Sequence, residues 1–447
     1  MPSESILAQA IAEQATPLVG AHTDFDLLLD RIGDARFVLL GEATHGTHDF
    51  YRVRAELTKR LIREKGFAAV AAEADWPDAY RINRFVRGMG RDVEATEALA
   101  DFRRFPQWMW RNADILDLVG WLRAHNEQIA EPAHRVGFYG LDLYSLHASM
   151  AAVLGYLDAR DPEAARRARE RYACFDRFGE EPQHYGHAIA LGIASDCERE
   201  VLEQLRDLLL RRGELLRHDG VVAEDAQFEA EQNARVAMNA EEYYRSMFVR
   251  GVSTWNLRDT HMADTLDALA THVQRRGRSP KIVVWAHNSH VGDSAAMAHR
   301  AERDEITIGH LCRQRHPRDT VLVGFTTYDG TVTAASDWGE QAERKTVRPA
   351  LAGSYEALFH ATGVPGFLLL LGDLGEATAA LHEPRLERAI GVVYRPETER
   401  WSHYFDVQIA DQLDAVIHLD RTRALEPLER TAMWDRGELA ETYPSGL

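Results

Sequence analysis

The sequence predicts an α/β fold: a three-layer, mainly parallel sheet core with a helical insertion. Short continuous apolar runs recur along the chain with helical patterns between most of them, which is how βαβ units and a sheet covered on both faces read. Two of these runs, RFVLLGEATHG at 36–46 and VVWAHNSHVGD at 283–293, pass straight from strand into a polar turn carrying histidines. Open α/β sheets gather ligands just beyond the carboxyl ends of their strands. Between about 145 and 254 the strand signal disappears.

The elements follow in order. MPSESILAQAIAEQA lacks a basic start followed by an apolar block, so it reads as a short amphipathic helix capped near Ser3 and not as a leader. Strands are expected at 36–41, 67–73, 135–141, 281–286, 320–326, 366–371, 389–394 and 414–419. Charged amphipathic stretches such as AARRARERYA and EAEQNARVAMNAEEYYRSMF make 145–254 helical. The expected organisation is a core of 1–144 and 255–447, with 145–254 inserted as a lid or pocket wall. No convincing repeat or linker interrupts this plan.

Composition narrows the function. A chain of 447 residues, 45% hydrophobic and 27% charged, is long enough for a large core plus an added subdomain. A formal charge of −18 repels phosphate and anionic lipid, so nucleic-acid and membrane partners are not expected. A small neutral or cationic substrate fits better, bound by a monomer or a homodimer. Cys174, Cys197 and Cys312 are too few and scattered for a disulfide framework or a CxxC zinc site, which points to the cytoplasm. No run reaches the roughly 20 apolar residues of a membrane span.

Chemistry concentrates where strands end. The first strand leads to Glu42 and His45, the second to Glu73 and Asp75, the third to Asp142, the fourth to His287 and His290. Apolar neighbours imply burial, and a buried carboxylate needs a cation or hydrogen-bond donors, which histidines and Arg54 supply. The chain lacks G-x-S-x-G, H-E-x-x-H, a P-loop and G-x-G-x-x-G, so serine-hydrolase, zincin, NTPase and Rossmann readings fall away. A neutral imidazole takes a proton from water near neutral pH while a carboxylate fixes its tautomer. No cofactor is then required. Alternatively Glu42, His45, Glu73, His287 and His290 form a divalent metal site. A third reading is a protein that binds a bulky ligand, haem or an antibiotic, without turnover. FRRFPQWMWRN at 102–112 offers Trp108 and Trp110 as aromatic walls for a substrate, or as core packing. Tyr244 in the insertion, with Asp142 and Asn288, completes the expected substrate contacts.

At these residues the chain resembles the erythromycin esterase family, which includes proteins labelled as succinoglycan biosynthesis proteins. The likeness lies in GEATHGTHDFYRVRAELTKRLI (41–62), AAEADW (71–76), FRRFPQWMWRN (102–112), YGLDLYS (139–145), WNLRDTHMADTL (255–266), WAHNSHVGD (285–293) and GVVYRPETERWSHYF (391–405). It implies a hydrolase of carboxylic ester or lactone bonds. By resemblance the histidine of the G-E-x-x-H turn, His45, is the general base, and Glu42, Arg54, Glu73, His287 and His290 match the other site positions. Glu42 or Glu73 would orient His45, while Arg54 and one of His287 or His290 would stabilise the oxyanion and protonate the leaving alkoxide. Macrolides are possible substrates.

Overall fold

The computed structural model describes residues 3–179, 181–215, 220–249, 251–372 and 375–437. Among them the strands, in chain order, are β1 (Thr16–Pro17), β2 (Phe37–Leu40), β3 (Ala69–Asp75), β4 (Gly137–Asp142), β5 (Ile282–Trp285), β6 (Thr320–Ala334), β7 (Glu343–Val347), β8 (Gly366–Leu370), β9 (Arg385–Arg388), β10 (Tyr404–Val407) and β11 (Ala415–Thr422). The fold is mixed α/β with a mostly parallel sheet, as the sequence predicts. Residues fall into two compact units, one of 1–67, 93–122 and 283–447, the other of 68–92 and 123–282.

In the first unit β2 pairs parallel with β6, Phe37 opposite Thr320 and Leu40 opposite Val323. On its other side β6 pairs parallel with β11. β8 joins β11 antiparallel, and β1 joins β8 the same way. All four residues of β2 are buried, as a strand covered on both faces requires. The helix His48–Lys65 follows at once, burying Phe50, Arg54, Leu57 and Leu61 along one stripe, with Tyr51, Ala55, Thr58 and Ile62 beside it. This is the i, i+3, i+4 pattern of an amphipathic helix. Gly66 ends it in the left-handed region at φ 72°, after Arg63 and Lys65 have placed positive charge on the last turn. Truncating a fully buried contact of this stripe, such as Leu57→Ala, costs about 2–5 kcal/mol.

Ser3 caps the first helix, Glu4–Gln14, by accepting from the Ile6 amide, as its position predicts. The stretch 389–394, expected as a strand, does not form one. The neighbouring residues Arg385–Arg388 form β9, paired antiparallel with β10, while Ile390 makes only a single parallel bridge to Thr44. The run is spent on bracing the first histidine turn: the Ile390 amide donates to the Ala43 carbonyl at 2.8 Å and the His45 amide to the Ile390 carbonyl at 3.2 Å.

The second unit holds β3 and β4, a parallel pair with Ala69 opposite Gly137. Its remainder is helical: Leu146–Arg160, Pro162–Tyr172, Pro182–Ala190, Glu198–Leu215, Gly220–Ser246 and Thr254–Arg275. Leu146, Val153, Leu157, Tyr185, Val201 and Leu208 meet in one buried cluster. Cys174 and Cys197 are joined there as a disulfide, leaving Cys312 as a buried free thiol. That pairing, unforeseen from cysteine spacing, weakens the inference of a reducing compartment. Among the described residues no helix is long and apolar enough to cross a membrane.

Candidate active site

The site starts from the turn that links β2 to the helix His48–Lys65. Glu42 and Arg54 are both buried there, at 2% and 1% exposure. One Glu42 oxygen, Oε1, accepts from His45 Nδ1 at 2.9 Å. The other, Oε2, accepts from the Arg54 guanidinium. Arg54 lies between two aromatic faces, 4.4 Å from the Tyr51 ring centre and 4.5 Å from that of Trp285. Those rings are themselves fixed, Trp285 by an indole N–H bond to Thr58 at 3.0 Å and Tyr51 by a hydroxyl bond to the Met109 carbonyl at 3.2 Å. A charge taken out of water needs compensation of this kind.

The geometry assigns the His45 tautomer. A carboxylate can only accept, so Nδ1 carries the proton and Nε2 keeps its lone pair. Nε2 has no hydrogen-bond partner among the described residues. The imidazole is thus held from one side and available on the other, as a general base must be.

His287 packs against it, ring centres 4.8 Å apart and tilted by 50°. Its tautomer is the reverse. Nδ1 accepts from the Ser289 amide at 3.2 Å and lies 2.8 Å from the Ser289 hydroxyl, so Nε2 carries the proton and faces the Ala43 carbonyl at 3.3 Å. His287 therefore caps the short helix Asn288–Val291, which carries the buried His290. The second turn is tied to the first through the Asn288 amide, which donates to the Glu42 carbonyl at 2.8 Å.

The remaining predicted residues divide. Asn288, expected to touch substrate, has its side chain committed inside the protein: Nδ2 donates to the Phe325 carbonyl at 2.8 Å and to Glu387 at 3.0 Å, while Oδ1 accepts from the Phe325 amide at 3.2 Å. Trp108 and Trp110 are buried, at 5% and 7%, and the Trp110 ring packs 6.2 Å from Phe102. The Trp108 indole N–H is buried without a partner among the described residues. Glu73 and Asp142 belong to the second unit, where one guanidinium serves both: Arg258 donates to Glu73 at 2.7 Å and to the Asp142 carboxylate at 2.6 and 3.0 Å. The Tyr244 hydroxyl donates to the Tyr144 carbonyl at 3.2 Å.

Two residues escaped the sequence reading. Arg258 sits in the WNLRDTHMADTL block, and the signal that pointed to it was physical: two buried carboxylates at strand ends require a cation. Glu387 had no local signal, since RLER reads as an exposed stretch. It is 2% exposed, and burial, followed by the nearby Glu356 carboxyl, pushes its pKa up to about 7.

Among the described residues no three His, Cys, Asp or Glu side chains are grouped to hold a metal ion. The five-residue ligand set considered from sequence has no geometric support there.

A mostly parallel α/β protein that holds an imidazole by a carboxylate at a strand's carboxyl end carries the groups that general acid–base chemistry uses, where such sheets bind ligands. The erythromycin esterase family profile matches residues 62–422. The chain belongs to that family, and membership places it among esterase-type hydrolases. It is 22% identical over 399 residues to "Erythromycin esterase type II" of Escherichia coli, covering 85% of this chain and 90% of the relative. To "Putative hydrolase YbfO" of Bacillus subtilis (strain 168) it is 22% identical over 444 residues, covering 92% and 90%. Among solved structures, a succinoglycan biosynthesis protein superposes with a TM-score of 0.75 at 21% identity, covering 95% of this chain and 98% of that one. A mutant of the erythromycin esterase EreC in its open conformation gives 0.66 at 18% identity, covering 92% and 96%. These structural likenesses establish the fold.

Proposed function

We propose that this hydrolase cleaves carboxylic ester or lactone bonds with His45 as the general base and without a covalent intermediate. The observation that carries the reading is the His45 imidazole, bonded to Glu42 through Nδ1 and leaving Nε2 for water. In the proposed reaction Nε2 takes a proton from water as the hydroxide adds to the carbonyl carbon. Glu42 stabilises the imidazolium that forms. Collapse of the tetrahedral intermediate breaks the C–O bond, and the alkoxide takes the proton back from His45. Acid and alcohol leave, joined as one chain when the substrate is a lactone.

The roles of the neighbours follow from their contacts. Arg54 points its guanidinium at Glu42 and is covered by two rings, which favours fixing the carboxylate over binding an oxyanion. The Nε2–H of His287 is aimed at the Ala43 carbonyl, so His287 acts first in shaping the turn. The cytoplasmic setting, read from the few cysteines, stays a proposal against which the Cys174–Cys197 disulfide counts. The name of the E. coli relative puts macrolide lactones among the substrates to try.

The test is hydrolysis of aryl esters, simple lactones and 14-membered macrolides by wild type and His45→Ala, with and without EDTA. Chelator-insensitive turnover that falls by at least about 10²-fold in the variant is expected. Near-native turnover by His45→Ala would overturn the assignment.

A further inference from the structure

We propose that Glu387 is a positioning residue of this active site, setting the His45 turn against the His287 turn through Asn288. The inference rests on the hydrolase reading above.

The two turns come from different strands, and one main-chain bond joins them directly, from the Asn288 amide to the Glu42 carbonyl. The placement of Asn288 therefore sets the placement of the residue that orients His45. Its side chain is held at three points, two on the Phe325 backbone of β6 and one on Glu387 Oε1 at 3.0 Å. The fit around this amide is close: a Cβ on Gly41, the residue before Glu42, would meet Asn288 Oδ1 and approach the Val323 carbonyl at 3.1 Å. Lateral movement of Asn288 has nowhere to go on that side.

Glu387 braces the other end of the second turn as well. Its Oε2 accepts from Gln412 Nε2 at 3.0 Å, and the Gln412 carbonyl accepts from the Asp293 amide at 3.0 Å. One carboxyl group thus spans the turn from Asn288 to Asp293. Both partners donate, so both oxygens must accept, which a carboxylate does and an amide cannot.

The cost of this arrangement points to function. Among the described residues no cation pairs with Glu387. The neighbouring Arg388 turns away, donating to the carbonyls of Thr327, Tyr328 and Arg348 and pairing with Glu399 at 3.0 Å. The nearest charge influence is another buried carboxyl, Glu356, which opposes ionisation. An apolar side chain of similar size would pack there without that penalty. Strongly perturbed carboxyls cluster at functional sites.

The test is Glu387→Gln, which keeps size and one acceptor. We expect kcat to fall 10- to 100-fold, the range for residues that orient a reactive group, with KM within about threefold. In protein labelled with 15N in its imidazoles, the His45 Nδ1–H signal is expected to shift or broaden in the variant. Should Glu387→Gln not fold, Gln412→Leu removes the other half of the brace and is expected to give the same kcat-selective loss at smaller size. An unmoved imidazole signal, or a kcat within twofold of wild type, overturns the proposal. If His45→Ala proves as active as wild type, the hydrolase reading falls and the imidazole signal alone decides the role of Glu387.

Discussion

Glu42→Gln is the perturbation that separates the chemistry of the site from its architecture. The side chain keeps its shape, but a neutral amide replaces a carboxylate that serves His45 through one oxygen and Arg54 through the other. Two losses follow. Arg54, 1% exposed, stays buried without its counter-charge, and breaking a buried pair from one side costs about 3–5 kcal/mol. The Tyr51 and Trp285 faces, at 4.4 and 4.5 Å, return up to about 2 kcal/mol of that through contact with the cation. A net loss of about 1–3 kcal/mol is therefore expected in urea denaturation. The second loss is kinetic. The substituted amide, which donates as well as accepts, no longer selects the Nδ1–H tautomer of His45 or stabilises its imidazolium, so kcat on an ester that wild type turns over should fall about 10²- to 10⁴-fold, with KM little changed. Arg54→Met gives the contrast: it leaves Glu42 buried and uncompensated but still bonded to His45, so its stability loss should be similar and its kcat loss smaller. A Glu42→Gln enzyme within threefold of wild-type kcat would refute the role given to the Glu42–His45 pair.

Other expectations concern the frame around this pair. Gly46→Ala should abolish activity and lower the melting temperature, because a Cβ there would strike the Thr333 carbonyl, whose amide also binds the Gly46 carbonyl at 2.9 Å; a thermal melt and an ester assay check it together. Glu387 has a folded-state pKa of about 7, above its ordinary 4.5, so its contribution to stability is fully present below pH 4.5 and is lost as pH climbs through 7. Glu387→Gln should therefore gain on wild type by up to about 3 kcal/mol between pH 4.5 and 8, read as converging or crossing urea midpoints. Cys174→Ser opens a link between residues 23 apart and should cost about 3 kcal/mol of stability in the helical unit, with kcat unchanged; equal melts under oxidising and reducing conditions would count against it.

Most of the sheet was legible because burial on both faces leaves a one-dimensional trace: FVLL, VAA, FYGL and IVVW are continuous apolar runs ending in polar turns. What was not legible depends on partners distant in sequence. The run at 389–394 has the right composition for a strand, yet Ile390 spends its amide and carbonyl on residues 43 and 45. The strand β7 was missed because ERKTV is polar, and its pairing with β6 decides its state. For the candidate site, Glu42 and His45 stand out as polar residues just past a buried strand, and Arg54 as the cation that a buried carboxylate calls for. The side-chain amide of Asn288, a candidate substrate contact, bonds Phe325, 37 residues on, and Glu387, 99 residues on. No local pattern encodes bonds of that range.

The buried carboxyls of this chain are settled in two different ways, and the difference bears on how the site works. Glu42 in the first unit touches a guanidinium, and so do Glu73 and Asp142 in the second. Arg258 grips Asp142 through two nitrogens, the bidentate geometry that fixes a carboxylate's plane, whereas Arg54 meets Glu42 at Oε2 alone. Arg54 occupies Oε2 of Glu42 and Oε1 is left to His45, while two rings cover the cation. In the proposed reaction, proton transfer to His45 would take the buried triplet of Glu42, Arg54 and His45 from neutral to a charge of +1. Glu387 is settled differently, held by the side-chain amides of Asn288 and Gln412 and joined to the triplet through Asn288 and the Glu42 carbonyl. Its negative charge, when ionised, would offset the positive charge that the proposed proton transfer creates. A carboxyl without a cation behind the second turn thus fits both the bracing of that turn and the positive charge that the proposed proton transfer would create.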